Sequence, residues 1–216
     1  MGQVTDIGSR IELVSMDPHF KDITIALYEQ EGDGGLPPRF LVQTYSQKEG
    51  ASTRMDFIAQ AMATFGGVDV TSGGGSGPTL TFPCGARHFA AVKRLFLESC
   101  KIPSDQTPVA KPLKIFDKKA DTEISVVSES NGQYRVTAEE SDDKVARRVG
   151  AISAGLVKLG EMEASDDGSS IRFACGHDHD LLIGLLLPRA INVRQAMREQ
   201  EQSASRGVLA APSQQE

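Results

Sequence analysis

The sequence of 216 residues has no tryptophan, only three cysteines and only four histidines. An odd, small cysteine count excludes a disulfide scaffold and fits a reducing compartment. No apolar run reaches the roughly 18 residues that a membrane span needs. The opening MGQVTDIGSR lacks the apolar stretch of a signal peptide. It also departs from the myristoylation pattern, because Asp6 stands where Ser or Thr is required. These absences lead to the expectation of a soluble, cytoplasmic chain with no membrane partner. Basic charge is in deficit: 23 Lys and Arg face 29 Asp and Glu, a net charge of −6 and a pI near 5.3. That balance disfavours binding to nucleic acid, which wants a cationic field, while leaving room for a local basic patch. The composition, 39% hydrophobic and 24% charged, is that of a globular chain.

What is present is internal similarity. TLTFPCGARHFAAVKRLF and SIRFACGHDHDLLIGLLL share a layout. Phe82, Cys84, Gly85, His88 and Leu95 align with Phe173, Cys175, Gly176, His179 and Leu186, each 91 positions on. Upstream, Val42, Arg54, Ile58 and Gly66 align with Val136, Arg148, Ile152 and Gly160 at an offset of 94. The offset changes within glycine- and aspartate-rich loops, where insertions are tolerated. The pattern predicts an α+β fold made by tandem duplication of a β-hairpin–helix–β-hairpin–helix unit. Its sheets are antiparallel, with helices packed on one face. The expected divisions are a flexible N-terminus at 1–10, unit 1 at 11–102, a linker at 103–112, unit 2 at 113–198 and a disordered tail at 199–216.

Apolar periods place the elements. Alternation at Ile11 and Leu13, at Ile23, Ile25 and Leu27, and at Phe40 and Val42 predicts strands, with turn chemistry at residues 31–35. Met55, Ile58, Met62 and Phe65 keep helical spacing, and Gly66-Gly67 closes that helix. In the second half Ser130-Asn131-Gly132 is a hairpin signal. A helix is expected from about Asp142 to Leu159, with Ser141 as its N-cap. Leu181 to Leu187 is apolar all round, so this helix must be covered on more than one side. Leu181, Leu185 and Leu186 are therefore the candidate interface, either between the two units or toward a second chain.

CGHDHD, Cys175 to Asp180, is the densest cluster of ligand-type side chains. Cys175, His177 and His179 are its candidate metal ligands, since zinc accepts thiolate and imidazole. Cys84, His88, Cys175 and His179 make a Cys2His2 set if a twofold relation brings the two CG turns together. Against a metal stand the loss of two ligand types in CGARHF and the absence of a paired CxxC spacing. Parity with Phe82 and Phe173 points both cysteines inward as small apolar residues, leaving Cys100 the more reactive thiol. A cysteine nucleophile would need exposure and an oriented base, and no catalytic motif accompanies it. The glycine-rich run at 72–78 lacks the Gly-Lys-Ser/Thr ending of a phosphate loop and precedes a strand. Arg87, Lys93 and Arg94 form the candidate anion-binding patch, the basis of an RNA-binding reading.

The sequence thus assigns no cofactor and leans away from an enzyme. Its leading expectation is a binding or assembly module that takes a protein partner or self-associates. The Cys/His metal or thiol site is the alternative, and RNA binding by the basic helix of unit 1 is the third.

Overall fold

The computed structural model describes residues 9–16, 23–30, 37–44, 46–72, 77–166 and 168–193. The expected flexible N-terminus up to Gly8, the turn at 31–35, the core of the glycine-rich run and the disordered tail lie outside these residues. The fold is α+β. In the first half, β1 (Ser9–Met16), β2 (Thr24–Gln30) and β3 (Arg39–Thr44) are followed by α1 (Ala51–Gly66). Then come β4 (Asp69–Thr71), β5 (Thr79–Thr81) and α2 (Phe89–Cys100). The second half runs β6 (Lys114–Asp117), β7 (Thr122–Ser128), β8 (Gln133–Ala138), α3 (Asp143–Gly160), β9 (Met162–Ala164), β10 (Ile171–Phe173) and α4 (Asp180–Ala190).

The two antiparallel sheets have the same strand order, β1-β2-β3-β5-β4 and β6-β7-β8-β10-β9. In each, the central hairpin is flanked by a leading strand on one side and the short second hairpin on the other. Phe40 pairs with Leu80 across β3 and β5, and Tyr134 pairs with Ile171 across β8 and β10. Helices of each half pack on one face of their own sheet and against helices of the other half. One continuous core results, joining Ile25, Phe40 and Leu80 to Ile124, Tyr134 and Phe173 through the buried helix faces. The boundary at 103–112 therefore separates two sequence units but not two independent cores.

Equivalent residues do equivalent work. Gly66 at the end of α1 leaves room for Leu95 of α2, and Gly160 at the end of α3 leaves room for Leu186 of α4. Arg54 is buried and donates to Cys100 O (2.8 Å) and Ile102 O (2.6 Å) beyond the end of α2. Arg148 donates to Ile191 O at the end of α4 (3.2 Å) and to Asp117 (2.5 Å). Each arginine thus satisfies carbonyls that a helix C-terminus leaves without partners. Burial pushes the Asp117 carboxyl up, but the Arg148 and Lys119 N–H donors outweigh it, so the group sits below the usual carboxylate range.

Two expectations need correction. The N-cap of α3 is Asp142, whose carboxylate accepts from Val145 N–H at 2.7 Å, and not Ser141. The apolar helix α4 is used internally. Leu185 and Leu186 are buried by the chain itself, so they present no external face, and only Leu181 is exposed. The reason is extra cover: the linker backbone crosses α4 so closely that a Cβ on Gly184 would stand 2.2 Å from Lys111 O. Among the described residues no helix is long and apolar enough to cross a membrane.

Candidate metal centre

The two CG turns meet. Each short strand ends at Thr81 or Phe173, and the chain then folds back. Gly85 N–H donates to Phe82 O at 2.9 Å, and Gly176 N–H donates to Phe173 O at 3.0 Å. Gly85 (φ 71°) and Gly176 (φ 70°) occupy the left-handed region these turns require. Strand alternation therefore stops before Cys84 and Cys175. Both are half-buried, whereas Cys100 is buried, which reverses the expected order of thiol exposure.

Cys84, His88, Cys175 and His179 offer four ligand atoms that all lie within 4.8 Å of one another. Within each half the thiol sulfur is 3.2 Å from the Nε2 of the histidine four residues on. A tetrahedral zinc with bonds of about 2.0–2.3 Å holds its ligand atoms roughly 3.3–3.8 Å apart, so small adjustments close the set around an ion. Backbone N–H groups already point at the sulfurs, from Ala86 to Cys84 (3.4 Å) and from His177 to Cys175 (3.5 Å). Such donors favour the thiolate, the form that binds metal.

The halves meet here with twofold reciprocity. The His88 and His179 rings face each other at 4.5 Å between centroids. Phe82 lies against His179 (5.8 Å), and in return Phe173 lies against His88 (5.2 Å). Further along the same helices, Arg189 forms a bidentate pair with Glu98 at 2.7 and 2.8 Å, again equivalent positions 91 residues apart. Contacts of i with j′ and of j with i′ are the signature of an isologous interface.

Electrostatics keeps the nitrogens ready for a metal. Burial, and then the neighbouring His179 and His177, push His88 down to about 4. Burial also lowers His179, with His177 adding to the effect and Asp178 and Asp180 opposing it. Both imidazoles are neutral at pH 7, the state that ligates. Burial raises the Cys84 thiol, and Cys175 beside it raises it further. An ion would displace that proton. Tyr134 holds the second turn, its hydroxyl accepting the His179 N–H. Burial raises the Tyr134 phenol, so it stays a neutral hydroxyl.

Of the candidate ligands, Cys175 and His179 join the cluster and His177 does not; its Nδ1 lies 2.9 Å from Cys175 O. Cys84 and His88 complete the set instead. The signal for them was the Cys-x3-His pair, which recurs at an offset of 91. The anion-binding patch does not assemble. Arg94 is buried, Arg87 is taken up by a bidentate pair with Glu29, and Lys93 lies over the Phe89 ring at 3.9 Å. A paired or buried guanidinium is not free to neutralise a phosphate. Compared with protein-family models, curated proteins and solved structures, the chain shows no match.

Proposed function

We propose that the chain is a metal-binding protein in which one Zn2+, held by Cys84, His88, Cys175 and His179, staples its two halves together. The observation that carries this reading is the convergence of one Cys-x3-His pair from each half on a single point. Two thiolates and two imidazoles are a soft, four-coordinate donor set that suits zinc. With all four positions filled by side chains, no site remains for a bound water, so the ion's role is structural rather than catalytic. A ligand pair from each half makes the metal a cross-link, and its binding energy adds to folding. The left-handed backbone of His88 (φ 41°, ψ 49°) fits this role. A non-glycine residue keeps such a conformation only where its surroundings over-determine it.

Zinc content of the purified chain and thermal unfolding with and without chelator test the proposal. One zinc per chain is expected, absent from Cys84→Ala and from Cys175→Ala alike. Chelation should lower Tm by about 10 °C or more, since each kcal/mol moves Tm by about 2–4 °C at this size. A metal-free chain with an unchanged Tm would refute it. Binding of a protein partner is the second reading. It is favoured by Phe116 and Val127, which are 56% and 48% exposed on the outer face of the second sheet. Phe116→Glu should abolish any self-association seen by sedimentation. Association that persists in this variant would count against that face.

A further inference from the structure

The two sides of the Cys/His cluster are not equally open. A cleft of about 350 Å³ reaches Cys84 and His179, and Gly67, His177, Asp178 and Asp180 line its walls. The position equivalent to Gly67 in the other half is Glu161, 94 residues on. Both end their helix in the left-handed region, Gly67 at φ 62° and Glu161 at φ 52°. The Glu161 side chain, however, reaches across to the start of α2, where its carboxylate accepts the Ala90 N–H at 3.2 Å. Gly67 has no side chain to do the same. A Cβ there would meet nothing nearer than Leu181 Cδ1 at 3.5 Å. The rims differ as well. The open side carries His177, Asp178 and Asp180, whereas the equivalent positions in the first half are Ala86, Arg87 and Phe89. An imidazole and two carboxylates attract a divalent cation, and an arginine repels one.

We infer that the metal enters and leaves through this cleft alone, passed to the Cys/His set by His177 and Asp178. This rests on the zinc reading of the cluster and adds a direction and a relay to it. His177 is suited to the task because it belongs to the same turn as Cys175 and His179 yet lies outside the ligand set. A transient ligand at that point shortens the step between a hydrated ion and its final site. The access side is set by the glycine-for-glutamate difference at 67 and 161.

The test uses the full-length, zinc-loaded protein mixed with an excess of a chelating dye, whose absorbance reports zinc loss. Equilibrium affinity is measured separately by competition. Gly67→Glu copies the closed side into the open one, at a backbone position where Glu161 shows that glutamate is accommodated. It should slow zinc loss about tenfold or more with little change in affinity, in line with the effect of local charge and access on ion encounter. His177→Ala and Asp178→Asn should each slow both loss and uptake by roughly threefold to tenfold. Arg87→Ala, on the closed side, should leave the rates unchanged. If Gly67→Glu and His177→Ala exchange zinc at the parent rate, the route is wrong even though the site stands. If the parent protein holds no zinc, the reading of the cluster itself fails, and the two failures are told apart by the metal content measured first.

Discussion

Helices α2 and α4 occupy equivalent places but are made of different material. In α2, Lys93 and Arg94 stand where α4 has Gly184 and Leu185. Lys93 lies over the Phe89 ring at the surface, and Arg94 is buried with its guanidinium 3.9 Å from the Glu98 carboxylate. In α4 the same two positions are covered by the chain itself. The linker carbonyl of Lys111 presses on Gly184, and Leu185 is 4% exposed. The difference comes from what lies outside each helix. A pseudo-twofold pair has only one connection between its halves, and that segment runs across α4. The all-apolar sequence of α4 records this second layer of cover, so it is no sign of an external partner.

The largest effect that breaks this comparison is expected at Leu185. Leu185→Glu buries a carboxylate with no partner, at a cost of about 3–5 kcal/mol. Unfolding by denaturant should show a much lower midpoint, with no change in the mass of the folded species. A stable variant of altered mass would mean that this face meets a second chain.

A smaller effect should follow at Gly184. Its added Cβ collides with backbone, which cannot swing aside as a side chain can, so Gly184→Ala should cost about 1–3 kcal/mol in chemical unfolding. At Gly150, on the exposed side of α3, a Cβ meets nothing within 4 Å. There the alanine substitution should instead stabilise by about 0.5–1 kcal/mol, through helix propensity. Equal effects at the two glycines would remove the claim that the linker is packed onto α4.

The smallest expected difference separates the two histidine ligands on acidification of metal-free protein. Both are held below their ordinary range by burial, but Asp178 and Asp180 pull His179 back up, and no carboxylate offsets the lowering of His88. His179 should therefore take its proton first, followed by NMR of the imidazole resonances. A depressed histidine means that the unfolded chain binds more protons than the folded one. The stability held by His88 is thus complete above about pH 6.5 and declines as pH falls toward about 4. Simultaneous protonation of both rings would show that the acidic turn has no influence on its neighbour.

The legible parts of this fold are those in which one residue type can satisfy one local need. The glycines at 66 and 160 admit a leucine, and the arginines at 54 and 148 reach helix ends. The strands alternate, so each pair showed as a repeated residue at a fixed offset. The site was half legible. Cys175 and His179 stood out in an unusual turn, while Cys84 and His88 looked like core because strand parity was extended past Thr81, where the strand stops. Their convergence depends on the packing of one half on the other, and no local pattern encodes that. The Glu98–Arg189 pair escaped for the same reason. Its members differ in type, so alignment of the halves shows no identity there, yet they meet because one is acidic and the other basic.

The central claim is that both halves contribute equally to one metal site. Zinc K-edge absorption of the loaded protein measures this directly. The account predicts two sulfur ligands at about 2.3 Å and two imidazole nitrogens at about 2.0–2.1 Å. Either Cys84→Ala or Cys175→Ala should abolish that sulfur signal along with the bound zinc. A parent spectrum with one sulfur, or with oxygen and nitrogen ligands only, would contradict it.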